Sequence, residues 1–181
     1  ALHQGHLSLI NSSKLENALT VCSIYVNPSQ FNNPSDLEKY PRSLEQDIKL
    51  LKKANCDVLF CPDNLEMYPT ENQIKFDFGE LDKILEGLYR PGHFSGVALI
   101  VSKLLNIISP DRVYFGQKDF QQYKIIEKLV YELKFDVLLR CMPIEREPDG
   151  LAMSSRNARL SEVQRKKAIT FHESLTEAWE L

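Results

Sequence analysis

The sequence predicts an α/β protein with a parallel sheet covered by helices on both faces. Two observations predict it. Short apolar runs rich in β-branched residues recur along the chain, and amphipathic stretches of roughly 10–15 residues separate them. Such alternation builds β-α-β units with right-handed crossovers. Ligands of such sheets sit outside the carboxyl ends of the strands.

Residues 6–16 (HLSLINSSKLE) place Leu7, Ile10 and Leu15 on one helical face. Residues 20–26 (TVCSIYV) read as a buried parallel strand, and 27–36 (NPSQFNNPSD) as a loop. Leu44, Ile48 and Leu51 form a helical stripe. Residues 58–60 (VLF) are a second strand, stopped by Pro62. Residues 73–78 (QIKFDF) alternate like a strand, and 80–86 suit a short helix. Ser95 is an N-cap candidate for the apolar helix 97–108, which Pro110 ends. Residues 112–115 (RVYF) are a third strand. The next helix, 119–133, turns Ile125, Ile126, Leu129 and Leu133 inward. Residues 135–141 (FDVLLRC) are a fourth strand, and 145–157 a polar loop. A last helix starts near Ser161 with Glu162 and Glu173 on its solvated side. No internal repeat or low-complexity tract occurs.

With 181 residues, 43% hydrophobic and 26% charged, the composition is that of an ordinary globular protein with one sizeable domain and the start of another. Its net charge of −3 argues against broad binding to nucleic acid or acidic membranes. An anionic ligand therefore needs a local cluster of donors. The cysteines at 22, 56, 61 and 141 fit no zinc spacing, and Cys22 and Cys141 read as packing residues. A reduced, cytosolic protein is expected. No apolar run reaches the roughly 18 residues of a membrane span.

Five stretches carry chemistry. His3-Gln4-Gly5-His6 stands at a helix start, where unpaired N–H groups attract phosphate. Gly5 allows close approach, and each histidine adds a hydrogen bond. The same residues also suit a surface histidine pair or a weak metal site. Gly116-Gln117-Lys118-Asp119 follows a buried strand. Lys118 can reach a phosphate. Asp119 can cap the helix or bind ribose, and Gln122 stands one turn further on. Met153-Ser154-Ser155-Arg156 offers hydroxyls and a bidentate guanidinium, or is a polar surface turn. Asn27 and Gln30 suit a polyhydroxylated acid, or an asparagine-rich turn. Arg90 to His93 is another polar loop. No Walker A sequence and no G-x-G-x-x-G occurs.

Taken together, ALHQGH, IYVNPSQF, YPRSLEQD, RPGHFSGV, YFGQKDFQQ and DGLAMSSRN, in this order, resemble the pantothenate synthetase (pantoate–β-alanine ligase) family over nearly the whole chain. The resemblance implies a Rossmann-like nucleotidyltransferase domain over 1–157, its first strand lying before Ala1. Residues 158–181 are then the beginning of a smaller C-terminal lid domain. It implies ATP-dependent joining of pantoate to β-alanine through a pantoyl-adenylate, with release of AMP and pyrophosphate, by a cytoplasmic, magnesium-dependent homodimer. His3 and His6 fall on the histidines that contact ATP phosphates, His6 on the proton donor. Gly5, Gly116, Gln117, Lys118, Asp119, Glu145, Met153, Ser154, Ser155 and Arg156 fall on ATP-binding positions. Lys118 is counted with the two histidines as catalytic. Asn27, Gln30 and Gln122 fall on pantoate positions, with Arg90 and His93 in another lining loop. Asp47 matches a carboxylate near the magnesium-bound phosphates. The chain departs from the family at Gln117, usually Glu, and at Glu145, often an apolar residue whose backbone touches adenine.

Two other readings are compatible with parts of the pattern. One is another nucleotidyltransferase of the superfamily, such as a pantetheine-phosphate adenylyltransferase or an aminoacyl-tRNA synthetase fragment. The other is a nucleotide-binding module without turnover. The NPSQF and FGQKDFQQ segments favour pantoate, and the acidic balance disfavours tRNA.

Overall fold

Each of the four apolar runs contributes one short strand. In the computed structural model, which describes residues 1–180, the order is α1 (Gln4–Glu16), β1 (Val21–Ser23), α2 (Pro34–Glu38), α3 (Leu44–Lys53), β2 (Val58–Phe60), α4 (Asn64–Met67), α5 (Glu86–Tyr89), α6 (His93–Ile108), β3 (Arg112–Gly116), α7 (Phe120–Leu133), β4 (Leu138–Met142) and α8 (Glu162–Glu180). Short 3₁₀ turns occur at Pro28–Gln30, Gly79–Asp82, Gln117–Asp119 and Ser155–Arg159. Pairing is parallel, as expected of β-α-β units. Val21 stands opposite Val58 in β1–β2, and Arg112 opposite Leu138 in β3–β4. The described strands form these two pairs rather than one continuous sheet. No helix among the described residues is long and apolar enough to cross a membrane.

The chain forms two units. The first comprises Ala1–Thr20, Pro41–Cys56 and the described residues from Pro143 onward; the second comprises Val21–Tyr40 and Asp57–Met142. In the first unit, α1 buries Ile10 and Ser13. The Ser13 and Thr20 hydroxyls share a buried hydrogen bond of 2.9 Å. Leu15, expected on that face, is 89% exposed. Ser13 is three residues after Ile10 and keeps to its side of the helix, whereas Leu15 is five residues on and points away. Helix α3 places Glu45 and Asp47 in its first turn and Lys52 and Lys53 in its last, matching the helix dipole at both ends. Leu51 is the buried member of its apolar stripe, and Leu44 is exposed.

The second unit is organised by α6 and α7. Phe94 and Ala98 of α6 meet Ile125 and Leu129 of α7 and Phe78 in one cluster, flanked by Phe76, Leu81, Val101 and Phe135. Leu133, expected inside, is exposed in the last residue of α7. Helix α6 opens at His93 with Gly92 as N-cap, so Ser95 lies within the helix rather than capping it. The Ser95 hydroxyl instead accepts the backbone N–H of Phe76 at 2.8 Å. Residues 73–78 accordingly form no strand, being tied to a side chain rather than to a neighbouring strand. The expected helix 80–86 breaks in two because Leu85 has φ 50°, which no α-helix accommodates. All four cysteines are free thiols; Cys141, expected to pack, is exposed at the edge of β4.

Gly96 of α6 lies against the Pro28–Gln30 turn so closely that a Cβ would stand 2.3 Å from the Ser29 carbonyl oxygen. The clash is with backbone, so the helix or the turn must move. Gly96→Ala is expected to destabilise the protein by about 1–3 kcal/mol, lowering Tm by several degrees. A thermal melt matching the parent's would show that the turn is not held against α6.

Candidate active site

The first unit carries the histidine turn. His3 is the N-cap of α1, with extended backbone at φ −142° and ψ 175°. His3 and His6 form a capping-box arrangement in which the His3 N–H donates to Nδ1 of His6 at 3.3 Å. A nitrogen that accepts a hydrogen bond carries no proton, so neutral His6 is protonated on Nε2 and is a donor there. The two rings lie 3.9 Å apart between centroids. A Cβ on Gly5 would sit 3.1 Å from Cε1 and Nδ1 of His3 and 3.6 Å from Cβ of Glu145. Glycine therefore lets the His3 ring fold over the helix start. Asp47 is buried, and its Oδ1 accepts the Leu2 N–H at 2.7 Å and the Ser43 hydroxyl at 3.3 Å. It fastens the entry to α1 onto α3.

The polar loop is folded, not loose. The Met153 N–H donates to the Glu145 carbonyl at 2.9 Å, and Arg146 bridges Ala152 across the loop. Gly5 thus backs onto Glu145, and Glu145 pairs with the residue that opens Met153-Ser154-Ser155-Arg156. The sequence places these segments some 140 residues apart, and the fold joins them through one residue. Ser154 caps its 3₁₀ turn by accepting the Arg156 N–H at 3.2 Å. Ser155 is half-buried, whereas Arg156 and the Glu145 side chain are exposed. Asn157 donates to the Ala152 carbonyl at 3.1 Å and to Glu147 Oε1 at 2.8 Å. Hydrogen bonds from Asn157 and Arg165 hold the Glu147 carboxyl below its ordinary range, and Arg165 does the same for Asp149. Both stay ionised through neutral and mildly acidic pH.

The second unit carries the amide cluster. Asn27 is 2% exposed and its side chain is fully engaged. Its Oδ1 accepts from the Ser29 N–H (3.3 Å), the Ser29 hydroxyl (2.9 Å) and the Tyr68 hydroxyl (2.8 Å). Its Nδ2 donates to the Gly96 carbonyl at 3.1 Å and to Gln30 Oε1 at 3.3 Å. Asn27 therefore orients Gln30, whose side-chain carbonyl oxygen is turned to Asn27. His93 is buried, with Nδ1 2.8 Å from the Gln30 backbone oxygen. That oxygen only accepts, so neutral His93 carries its proton on Nδ1 and is an acceptor at Nε2. Burial pushes the His93 pKa down, Arg90 adds to this, and the Gln30 bond, Glu86 and Asp119 oppose it.

Gly116 ends β3, and Gln117, Lys118 and Asp119 form the 3₁₀ turn that leads into α7, with Asp119 as its N-cap residue. Lys118 Nζ lies 2.8 Å from the Asp119 carboxylate. Gln122 is half-buried in the first turn of α7, and Arg90 pairs with Glu86. An open cavity of about 1280 Å³ in this unit is lined by Tyr68, Ile74, Phe76, Leu88 and Leu99 among others, with Pro28 and Ser29 of the NPSQF segment and Pro91 and Gly92 of the Arg90–His93 loop at its wall. Sequence reasoning missed Tyr68, Glu147 and Arg165, because each acts on a residue distant in the chain and leaves no local pattern.

The residues do not form a protein cage for magnesium. No group of three His, Cys, Asp or Glu side chains among the described residues is placed to hold a metal, and Asp47 already accepts two hydrogen bonds. A magnesium ion would take most of its ligands from phosphate and water.

Comparison with known proteins bears on this arrangement. The family model described as pantoate-beta-alanine ligase matches residues 1–180. The chain belongs to that family. It is 55% identical over 176 residues to the pantothenate synthetase of Cytophaga hutchinsonii, covering 97% of this chain and 62% of that protein. The Fervidobacterium nodosum enzyme is 51% identical, with 99% and 64% covered. The chain thus spans less than two thirds of the length of these relatives. The crystal structure of pantothenate synthetase from Thermus thermophilus superposes with a TM-score of 0.92 at 44% identity, covering 97% of this chain and 64% of that one. The Francisella tularensis pantoate-beta-alanine ligase, complexed with beta-gamma ATP and beta-alanine, superposes with a TM-score of 0.91 at 43% identity, covering 95% and 66%.

The lowered pKa of His93 makes a pH prediction. The unfolded state, with a pKa near the ordinary 6.5, takes up the proton more readily than the folded state. Stability is full above pH 6.5 and falls as pH drops from there toward the depressed folded value. His93→Asn, which retains a donor near Gln30 but does not titrate, is expected to flatten this limb in urea melts across that range. An unchanged limb in the variant would assign the pH dependence to other groups.

Proposed function

We propose that the protein is an ATP-dependent pantoate–β-alanine ligase. One observation carries the reading. The H-x-G-H helix start backs onto Glu145, and the Glu145 carbonyl pairs with the residue that opens the Ser-Ser-Arg turn. Two donor-rich segments of the family pattern are thereby fixed to one another within the first unit. The family membership and the Francisella relative's ligands support the same chemistry.

In this reading a pantoate carboxylate oxygen attacks the α-phosphorus of ATP. The bond from that phosphorus to the bridging oxygen of the β-phosphate breaks, and pyrophosphate leaves with the electron pair. The deprotonated amine of β-alanine then attacks the acyl carbon of pantoyl-adenylate, and AMP departs. The α1 N-terminus, His3 and the Nε2–H of His6 donate to phosphate oxygens, His6 also to the charge that develops on the leaving group. Gly5 leaves room for the His3 ring to lie over the helix start. Ser154, Ser155 and Arg156 are the second group of phosphate donors, with Met153 beside them. By their place in the family pattern, Gly116, Gln117, Lys118 and Asp119 are a further ATP-binding segment, Lys118 supplying a point charge. The Glu145 backbone takes the adenine-side role, which its exposed side chain leaves undisturbed. Gln117 orients its neighbours without ionising. Gln30, aimed by Asn27, and Gln122 hold pantoate, while Arg90 and His93 line its surroundings. No protein nucleophile is required, so positioning supplies most of the acceleration. Magnesium enters with the nucleotide, and Asp47 acts on it only indirectly. The enzyme works as a cytoplasmic homodimer without nucleic acid or membrane, and residues 158–181 open its smaller domain.

With the full-length protein, single-turnover quench and transfer of ¹⁸O from labelled pantoate carboxylate to AMP test the reaction. His6→Ala and Lys118→Ala are expected to slow adenylate formation by at least about 10²-fold, Lys118→Ala with little loss of stability and His6→Ala with the loss of about 1 kcal/mol that goes with its cap on α1. Unlabelled AMP from the parent, or near-normal adenylate formation in both variants, would overturn the assignment.

A further inference from the structure

Arg165 lies in the first turn of α8, outside every motif of the sequence. Ser161 and Gln164 form a reciprocal cap just before it: the Gln164 N–H meets the Ser161 hydroxyl at 3.3 Å, and the Ser161 N–H meets Gln164 Oε1 at 2.9 Å. The stem of Arg165 therefore leaves a fixed helix start. Its guanidinium forks onto the polar loop, with Nε and Nη2 donating to Asp149 Oδ2 at 2.9 and 2.5 Å and Nη2 also to Glu147 Oε2 at 2.8 Å. The other Glu147 oxygen, Oε1, accepts from Asn157 at 2.8 Å. Asn157 follows Arg156 directly, and its N–H donates to the Ser154 carbonyl at 3.0 Å. A second grip lies further along α8. Gly150 has φ 85°, and a Cβ there would stand 2.5 Å from Cδ2 of His172.

We propose that Arg165 is a positioning residue for the phosphate-binding turn: through Glu147 and Asn157 it sets where Ser154, Ser155 and Arg156 stand. The proposal rests on the reading of that turn as an ATP-phosphate site. The ion pairs are partly exposed, so they contribute little to stability. Their geometric effect is larger, because donors displaced by an ångström lose much of their hold on a reacting group. Lysine could replace the charge but not the two-pronged contact.

The test is pantoate-dependent exchange of pyrophosphate into ATP by the full-length protein. It compares Arg165→Met, Arg165→Lys, Asn157→Ala, the Arg165→Met/Asn157→Ala pair, and Arg156→Ala as reference. Arg165→Met is expected to raise KM for ATP by about tenfold or more, with KM for pantoate and Tm nearly unchanged. Arg165→Lys is expected to recover only part of the loss. The double variant is expected to match the worse single variant, since both act along one chain of contacts. An ATP KM that rises for Arg156→Ala but not for Arg165→Met or Asn157→Ala overturns the proposal alone. Losses of ATP and pantoate binding that rise together with a falling Tm overturn it too, showing a merely structural role. An unaltered ATP KM in Arg156→Ala removes the reading of the turn and the proposal with it. If Arg165→Met fails to fold, Asn157→Ala decides from the other end of the same chain.

Discussion

A ring nitrogen that accepts a backbone N–H cannot hold a proton, and one that donates to a backbone carbonyl must. This rule fixes the chemistry of two histidines in the structure. Capping of α1 directs the lone pair of His6 Nδ1 at the His3 N–H, so the ring presents a donor at Nε2. The carbonyl of Gln30 requires the opposite of His93, which presents an acceptor at Nε2. Both assignments follow from bonds that also hold the backbone: the first starts a helix, and the second ties α6 to the Pro28–Gln30 turn. Local folding and the protonation state of the site are thus one problem. Burial of His93 reinforces the result, since it disfavours the charged ring.

Charge sets the second constraint. Two unit charges 4 Å apart interact by about 1 kcal/mol in water and about 4 kcal/mol at an effective dielectric of 20. Under the proposed function, a chain of net charge −3 has to offset several such terms locally when a carboxylate meets a triphosphate. The donors of the first unit that this reading uses are mostly neutral or partial, namely a helix N-terminus, imidazoles and two hydroxyls, with the Arg156 guanidinium as the full positive charge. Three acidic residues of the unit are held in contacts within the protein. Asp47 accepts the Leu2 N–H and the Ser43 hydroxyl, and Glu147 and Asp149 are held by Arg165. These carboxylates fasten the backbone of the unit.

Local chemistry was legible in the sequence and remote bonding was not. The runs 58–60 and 112–115 became strands at or within one residue of their expected bounds, whereas 20–26 and 135–141 pair only over Val21–Ser23 and Leu138–Met142, since pairing reaches only as far as the neighbouring strand. Ile125, Ile126 and Leu129 are buried as their spacing required. Leu15 and Leu133 are not, since a stripe tells which side faces inward but not how far along the helix the neighbour extends. Residues 73–78 alternate like a strand yet form none: whether a strand forms depends on a partner, and Phe76 found the hydroxyl of Ser95 instead. Ser95 likewise had the composition of a cap and a different use. The candidate residues were visible through their motifs, but the residues that orient them were hidden. Tyr68 reaches Asn27 over 41 positions, and Arg165 reaches Glu147 over 18. Asn27, singled out with Gln30, also serves as a hub, its amide bonded to Gly96, Ser29, Tyr68 and Gln30.

The most direct test of this account is the tautomeric state of the two rings, read from long-range ¹H–¹⁵N couplings of ¹⁵N-histidine-labelled full-length protein at mildly alkaline pH. The account requires His6 to be protonated on Nε2 and His93 on Nδ1. A proton on Nδ1 of His6, or on Nε2 of His93, would contradict it.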